Sequence, residues 1–363
     1  MFEKEVVSLN RKDQHVALAN QQFSMESAKD FVQTRFVHQS LPELQVGDVC
    51  LQTSVAGLTM EMPFFINAMT GGSERTKLIN QLLGIIGHLT KVPIASGSVS
   101  AALKDPSVAD SFRILRGENP HGIIFANLGA HHDLENAKRA VDLLEADGLQ
   151  LHLNAPQELV MREGDRDFSM WLKNIEAIVR GIEVPVIVKE VGFGMSRETV
   201  ARLASVGVKT VDISGTGGTD FVLIENIRRG GDGYPLLNGW GQSTVISLVE
   251  AMSLPAEGRP EIIASGGIKN ELDIIKSLAL GAELVGISNR ILQLVQNNQN
   301  IDRAIYEVRR LEERVAEMMV LVGAKNIAEL RQKDLILGPD VQAWCTAREI
   351  DWKQYANRSM KYL

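Results

Sequence analysis

The chain has 363 residues, of which 45% are hydrophobic and 23% are charged, so it can bury a large core as one domain with extensions. Its formal net charge of −7 argues against a nucleic-acid-binding surface, because domains of that kind usually present a basic face. An anionic ligand must therefore be held by a few placed cations rather than by a general positive field.

The cysteines and the N-terminus bear on where the protein works. Cys50 and Cys345 are far apart and in no metal-ligand spacing, so neither a disulfide framework nor a zinc site is expected. The first ten residues lack the apolar core of a signal peptide, and no run approaches the roughly 18 apolar residues of a membrane span. We expect a cytoplasmic protein without a membrane partner.

From about residue 63 onward, short apolar runs alternate with amphipathic segments, as in βα units that build a parallel sheet. Eight runs, rich in Ile and Val, are predicted as strands: Pro63–Asn67, Pro93–Gly97, Gly122–Asn127, Leu149–Asn154, Pro185–Lys189, Thr210–Ser214, Glu261–Ser265 and Glu283–Ile287. Eight repeats favour a closed (β/α)8 TIM barrel of the α/β class over an open doubly wound sheet.

Helical periodicity fills the intervals between the predicted strands. One helix is predicted after the N-cap Asp133, with Leu134, Ala137, Val141 and Leu144 on one face and Gly148 as its stop. A second follows Asn270, with Leu272, Ile275 and Leu278 on one face and Gly281 at its end.

Extensions flank the predicted barrel of residues 61–300. Residues 1–60 precede it as an N-terminal extension, and residues 301–363 follow as a helical extension with apolar positions at Ile305, Val308, Leu311 and Val315. The Gly-rich connection from Gly215 to Gly241 is either a functional lid or partly disordered.

The predicted strands end in polar residues, and in a barrel the loops after the strands form the active face. After the last two strands, Ser265-Gly266-Gly267-Ile268 and Gly286-Ile287-Ser288-Asn289 suit a phosphate, although the glycine pair could simply make a tight turn. Lys189 could stabilise negative charge on a reduced isoalloxazine ring. The alternative is a buried lysine paired with a carboxylate, for which Glu190 is a poor partner because successive strand residues face opposite ways.

Several motifs resemble one family over nearly the whole chain, the FMN-dependent type 2 isopentenyl diphosphate isomerases. They are Arg11-Lys12-Asp13-Gln14-His15, Asn67-Ala68-Met69-Thr70-Gly71-Gly72, Gly97-Ser98-Val99-Ser100-Ala101-Ala102-Leu103, Ala126-Asn127-Leu128-Gly129, His152-Leu153-Asn154-Ala155-Pro156-Gln157-Glu158, Val188-Lys189-Glu190-Val191-Gly192 and Ser214-Gly215-Thr216-Gly217-Gly218-Thr219.

The resemblance implies a set of site residues. Expected FMN contacts are Ala68, Met69, Thr70, Ser98, Asn127, Lys189, Ser214 and Thr219, with Gly267, Ile268, Lys269, Ser288 and Asn289 flanking the phosphate. The expected substrate set is Arg11, Lys12, Ser98, Val99, Ser100, His152 and Gln157, with Glu158 as the Mg2+ ligand. Val99-Ser100 departs from members that carry Gln and a basic residue there, so the contact of Ser100 with a diphosphate is less secure than that of Arg11 or Lys12.

The implied reaction interconverts isopentenyl and dimethylallyl diphosphate, with reduced FMN as acid and base. Gln157 cannot titrate, so it would orient the alkene or relay a proton. NADPH is the expected reductant of the flavin, and a homo-oligomer, a tetramer or an octamer, is expected because FMN barrels commonly assemble. Without the resemblance, residues 11–15 fit a solvated helix face, Gln157 an exposed turn residue and His152 a satisfied strand-end histidine.

Three other functions compete with the isomerase. An FMN-dependent α-hydroxy-acid oxidase or dehydrogenase would place a catalytic histidine after the sixth strand, but no histidine occurs from Lys189 to the C-terminus. Inosine monophosphate dehydrogenase needs a loop cysteine, and Cys50 and Cys345 are both misplaced for that role. A non-catalytic flavin-binding module has no need to crowd seven strand ends with polar groups that are costly to desolvate.

Overall fold

A computed structural model describes residues 11–297 and 300–362, and its centre is a closed barrel of eight parallel strands. The barrel strands are β4 (Phe64–Ile66), β5 (Ile94–Ser98), β6 (Ile124–Gly129), β7 (Gly148–Leu153), β8 (Val186–Glu190), β9 (Thr210–Asp212), β10 (Glu261–Ala264) and β11 (Leu284–Ile287). Strand β11 pairs with β4 and strand β10 pairs with β9, so the predicted closure is confirmed. Each strand coincides with one predicted run within a few residues.

Helices surround the barrel and form most of the C-terminal extension. They are Arg11–Gln21, Lys29–Gln33, Glu74–Thr90, Ser100–Lys104, Asp110–Glu118, Leu134–Leu144, Ala155–Val160, Trp171–Gly181, Arg197–Ser205, Phe221–Arg229, Thr244–Met252, Glu271–Ala279, Asn289–Asn297, Ile301–Leu321, Ile327–Leu330, Pro339–Ala347 and Lys353–Ala356. Short 3-10 turns occur at Val46–Asp48, Pro106–Val108, Pro235–Leu237 and Ser359–Tyr362.

The barrel interior is apolar toward the amino ends of the strands and polar toward their carboxyl ends. Phe65, Phe125, Ile187 and Ile263 belong to one buried cluster inside the barrel. Because residues two apart face the same side of a strand, the next inward positions are Asn67, Asn127, Lys189 and Ser265. The sequence thus places polar groups at the carboxyl ends of the strands.

A hairpin from the N-terminal extension joins the apolar end of the interior. Strands β2 (Thr53–Val55) and β3 (Leu58–Met60) pair around Ala56 and Gly57, both of which have positive φ. Val55 and Met60 pack in the same cluster as Phe65 and Phe125, and the Ala56 amide donates to the Glu261 carboxylate over 2.7 Å. The hairpin therefore fills the end of the barrel opposite the polar strand ends.

Both predicted N-caps are confirmed, but two details of the predicted helices are wrong. The Asp133 side chain accepts from the Asn136 amide, and the Asn270 side chain accepts from the Asp273 amide. The first helix ends at Leu144, with Glu145 as its C-cap in the left-handed conformation, whereas Gly148 already begins β7. Leu272, in the first turn of the second helix, is 43% exposed, whereas Ile275 and Leu278 are buried.

The two extensions meet each other beside the barrel. Strand β1 (Arg35–Phe36) pairs antiparallel with β12 (Leu335–Ile336), and the helix Ile301–Leu321 buries the predicted apolar positions, among them Val308 and Val315. The connection after β9 contains the helix Phe221–Arg229. Across the described part of the chain, no helix is both long and apolar enough to cross a bilayer.

The helix Pro339–Ala347 and the residues after it are tied to the barrel helix Thr244–Met252 through Glu250. This fully buried carboxylate accepts from Trp344 Nε1 (2.7 Å), Arg348 Nε (2.8 Å) and the Arg197 amide (3.2 Å). Burial alone would raise the pKa of Glu250, but these donors hold it below its ordinary value. The stability it contributes is present above the unfolded pKa and is lost as the pH falls through the folded one.

We expect Arg348→Met to lower the free energy of unfolding by about 1–3 kcal/mol at neutral pH, because a buried charged acceptor loses a donor. Urea unfolding monitored by circular dichroism measures the change. Arg310→Met is the matched control, since its ion pair with Glu313 lies at the surface and is worth about 1 kcal/mol or less. Equal midpoints for the two variants would contradict a tie through Glu250.

Candidate active site

A cavity of about 340 Å3 opens at the carboxyl ends of the barrel strands. Its wall includes most residues that the sequence singled out: Arg11, Lys12, Ala68, Met69, Ser98, Ser100, Asn127, His152, Gln157, Glu158, Lys189, Ser214, Thr219, Gly267, Ile268, Lys269, Ser288 and Asn289. Thr70 and Val99 are buried and are not part of the wall. One cavity therefore brings together positions separated by nearly 280 residues of sequence.

Glycines after β10 form one end of the cavity. Gly266 and Gly267 have φ of 86° and 74°, and a Cβ on Gly266 would lie 2.0 Å from the carbonyl oxygen of Gly215. The tight turn is therefore real, and its residues also line the cavity. Ser288 and Asn289 lie at the start of the helix Asn289–Asn297, where the first main-chain amides have no partner within the helix. These amides and the glycine turn together suit an anion such as a phosphate.

Lys189 is a buried cation in the cavity wall. Its Nζ donates to the carbonyl oxygen of Glu190 over 2.6 Å, while the Glu190 carboxylate turns away to accept from the amides of Val191 and Phe193 at 2.8 Å each. The expectation that Glu190 is not its side-chain partner is confirmed. Burial lowers the pKa of Lys189, and the nearby carboxylates of Asp212 and Glu190 partly offset that effect.

A chain of side-chain amides crosses the floor of the cavity. Asn67 Nδ2 donates to Asp212 Oδ2 (2.8 Å), Gln150 Nε2 to Asn67 Oδ1 (3.2 Å) and Asn127 Nδ2 to Gln150 Oε1 (3.1 Å). His152 Nδ1 lies 2.9 Å from Asn127 Oδ1. Sequence reasoning missed Gln150 and Asp212, although each is a polar residue inside an otherwise apolar strand, which is a usable signal.

Gln157 lies on the short helix Ala155–Val160 and is held from two sides. Its Nε2 donates to Glu225 Oε1 (3.1 Å), and its Oε1 accepts from Asn154 Nδ2 (3.2 Å). Glu225, almost fully buried on the helix Phe221–Arg229, also contacts Arg228 and lies 2.9 Å from His15 Nε2. The alternative of an exposed turn residue is wrong for Gln157, which is 8% exposed.

The N-terminal helix Arg11–Gln21 brings two cations to the cavity wall. Lys12 lines the wall, and burial together with the neighbouring Arg11 lowers its pKa to about 8. Arg11 is about half exposed, with its nearest carboxylate at Glu163 3.9 Å away. Asp13 is buried and accepts from Ser73 Oγ (2.8 Å), so the alternative of a solvated helix face is wrong.

Ser98 and Ser100 form a polar edge with His132. Ser98 Oγ and Ser100 Oγ are 3.0 Å apart, and Ser100 Oγ lies 2.9 Å from His132 Nε2. Burial and the neighbouring His131 lower the pKa of His132 to about 4, so the edge is neutral near pH 7. The Val99 side chain is buried outside the cavity wall, and its amide donates to the carbonyl oxygen of Asn127.

Both carboxylate oxygens of Glu158, the expected Mg2+ ligand, accept hydrogen bonds from other residues. Its Oε1 accepts from Asn154 Nδ2 (2.8 Å) and its Oε2 from the Asp165 amide (2.9 Å). Within the described ranges, no group of three His, Cys, Asp or Glu side chains could hold a metal ion. One carboxylate can still serve Mg2+ when waters and substrate phosphates complete its coordination.

The residues present fit FMN in both of its parts. The glycine turn and the helix start suit the phosphate, while Ala68, Met69 and the Lys189 cation suit a flat ring whose reduced form is anionic. The buried Thr70 Oγ1 has no hydrogen-bond partner among the described residues, but Thr70 lies outside the cavity wall and does not bear on this fit.

Solved structures that share this architecture include a mandelate oxidase and a flavocytochrome b2. A mandelate oxidase with (S)-2-phenylpropionate has a TM-score of 0.61 at 16% identity and covers 93% of this chain and 97% of its own. A flavocytochrome b2 with sulfite bound has a TM-score of 0.62 at 20% identity and covers 94% and 90%. At these identities the likeness concerns the fold alone.

Sequence relatives are much more similar. Proteins named isopentenyl-diphosphate delta-isomerase from Latilactobacillus sakei, Streptomyces sp. and Staphylococcus aureus are 46%, 45% and 47% identical to this chain. The matches cover 96%, 98% and 94% of this chain and 98%, 96% and 97% of the relatives. The model of the family described as FMN-dependent dehydrogenase matches residues 126–337. This chain therefore belongs to the isopentenyl-diphosphate delta-isomerase family and shares the barrel of the FMN-dependent dehydrogenases.

Proposed function

We propose that this protein binds FMN and interconverts isopentenyl diphosphate and dimethylallyl diphosphate. The observation that carries the proposal is the make-up of one cavity. It combines an anion-binding glycine turn at Gly266, the buried cation Lys189 and the non-titrating Gln157, with Arg11 and Lys12 at its wall. The full-length relatives that carry the isomerase name support the same reaction.

Reduced FMN, when bound, supplies an acid and a base at N5 beside a ring whose negative charge stabilises a nearby cation. Lys189 would hold the anionic edge of the ring, and Gln157, oriented by Glu225 and Asn154, would position the alkene. Arg11 and Lys12 would capture the diphosphate, with Mg2+ shared between that group and Glu158. NADPH as the reductant, a homo-oligomeric state and a cytoplasmic location complete the proposal.

An anaerobic assay with isopentenyl diphosphate, Mg2+ and chemically reduced FMN tests the reaction. We expect many turnovers after a single reduction and, in deuterated water, deuterium at the allylic positions of substrate and product. Mass spectrometry of the diphosphates measures both. Consumption of one reduced nucleotide per product formed would overturn the isomerase reaction.

An FMN-dependent α-hydroxy-acid oxidase or dehydrogenase is the alternative with the same fold. The printed sequence has no histidine from Lys189 to the C-terminus, so the loop after β9 lacks the base that abstraction from a hydroxy acid requires. We therefore expect no oxidation of lactate or glycolate by the oxidised holoenzyme.

Arg11→Ala is expected to raise the KM for isopentenyl diphosphate about ten- to a hundredfold, because a charge-assisted contact is worth roughly 1.5–3 kcal/mol. The spectrum of bound flavin should not change, since Arg11 lies on the N-terminal helix and not at the glycine turn. Initial rates over a range of substrate concentrations measure the effect, with the surface variant Arg113→Ala as control. A KM equal to that of the control would refute phosphate capture by Arg11.

A further inference from the structure

In the amide chain on the cavity floor, every hydrogen bond donates in one direction, toward Asp212, and Asp212 fixes that direction. This carboxylate is fully buried and accepts from Asn67 Nδ2 (2.8 Å), Ser265 Oγ (2.7 Å) and the Ser214 amide (3.2 Å). A carboxylate that receives three donors acts only as an acceptor, so the Asn67 group facing it must be the NH2. The Ala68 amide, 2.8 Å from Asn67 Oδ1, requires the same orientation independently.

Each following amide inherits this direction. With Asn67 Oδ1 as an acceptor, Gln150 must present its NH2 to Asn67 and its oxygen to the next residue. Asn127 must then donate from Nδ2 to Gln150 Oε1, which leaves Asn127 Oδ1 as the acceptor facing His152. A reversed chain would leave Asp212 facing Asn67 Oδ1, acceptor against acceptor in a dry interior, which is costly.

We propose that Asp212, acting through Asn67, Gln150 and Asn127, fixes His152 as the tautomer that carries its proton on Nδ1 and presents an unprotonated Nε2 to the cavity. Asp212 and Gln150 are fully buried and are not part of the cavity wall, so they are positioning residues. Among the described residues, His152 Nε2 has no hydrogen-bond partner, which leaves its lone pair for a ligand.

The surroundings of His152 are consistent with a neutral ring. Its pKa lies well below the ordinary value, chiefly because the ring is buried and further because Lys189, His131, Lys12 and His132 are near. How a diphosphate would engage this ring rests on the proposed function. A neutral ring with a bare Nε2 cannot donate to a fully ionised phosphate oxygen, so a diphosphate would engage it through its own remaining proton.

Nitrogen-15 NMR of the FMN-bound enzyme, labelled at its seven histidines, reads the tautomer directly. The His152→Asn variant assigns the signals of His152 by their disappearance. We expect the wild-type spectrum to show a protonated Nδ1 and an unprotonated Nε2 for His152. A protonated Nε2 with a bare Nδ1 would overturn the proposal.

Asp212→Asn tests the origin of the direction with almost no change in shape. The Ser214 amide is a main-chain donor that cannot reverse, so it keeps the oxygen of the new side-chain amide and turns the NH2 of that amide toward the NH2 of Asn67. The unique Nδ1–H signature should therefore be lost, either to the other tautomer or to a mixture. Ser265→Ala is the matched control, because it removes a different hydrogen bond to the same carboxylate and should leave the signature intact. Retention of the signature in Asp212→Asn would overturn the role of Asp212.

Gln150→Met provides a second test if Asp212→Asn does not fold. The thioether replaces a buried amide of similar volume and interrupts the chain without touching the cavity wall, so the unique signature should again be lost. Its retention would overturn the chain as the cause. Adding inorganic diphosphate to the wild type should move only the Nε2 signal, toward its protonated position. An unmoved Nε2 signal would overturn the diphosphate role alone, since the tautomer is read without any substrate.

Discussion

Gln157→Ala is expected to lower isomerisation and deuterium exchange by roughly 10²-fold, the loss expected when a reacting group is misplaced by about 1 Å. The physical reason is positional. Hydrogen bonds to Glu225 and Asn154 hold the amide at the cavity wall, and an alanine cannot hold an alkene in place from there. Because Glu225 keeps Arg228 and His15 as neighbours, the fold should persist.

The measurement compares deuterium incorporation with flavin binding in the same preparation. FMN should bind Gln157→Ala with unchanged affinity, while exchange is largely lost. Gln81→Ala is the control, since Gln81 bonds Glu118 on the outer helices, away from the cavity. Exchange at the wild-type rate in Gln157→Ala would remove this residue from the mechanism without disturbing the flavin assignment.

Lys189→Met is expected to weaken binding of reduced FMN about ten- to a hundredfold, the value of one charge-assisted contact. The loss should be larger for reduced than for oxidised FMN, because only the reduced ring carries a negative charge for the cation to stabilise. Burial lowers the pKa of Lys189 and so disfavours its charged form. An anionic ring beside Lys189 would offset this effect and favour the charged form.

Fluorescence titration with oxidised FMN and anaerobic absorbance titration with reduced FMN give the two affinities. Lys276→Met is a close control, because Lys276 is also a buried lysine that donates to a main-chain carbonyl, that of Phe31, but lies outside the cavity. If Lys189→Met lost the same affinity in both redox states, the cation would serve packing rather than the reduced ring.

Local patterns in the sequence were enough for the barrel and for one half of the site. Runs of Ile and Val bounded by Gly and Pro identify strands buried on both faces, and strand alternation then puts Asn67, Asn127 and Lys189 at the polar ends. Gly266 was identifiable for a related reason, since a glycine pair after a strand marks a positive φ or a close backbone approach. These features depend on neighbours in sequence.

Tertiary structure alone decided which distant groups meet. Apart from the family resemblance, no pattern in the sequence pairs Gln157 with Glu225, 68 residues later, or turns the 11–15 segment toward the cavity, where Lys12 loses solvent and its pKa falls to about 8. Likewise, Asp212 and Gln150 read as stray polar residues in apolar strands until barrel closure brings β9, β4 and β7 around one interior. Hydrogen-bond direction and desolvation act through space, so they arise only when the chain has closed on itself.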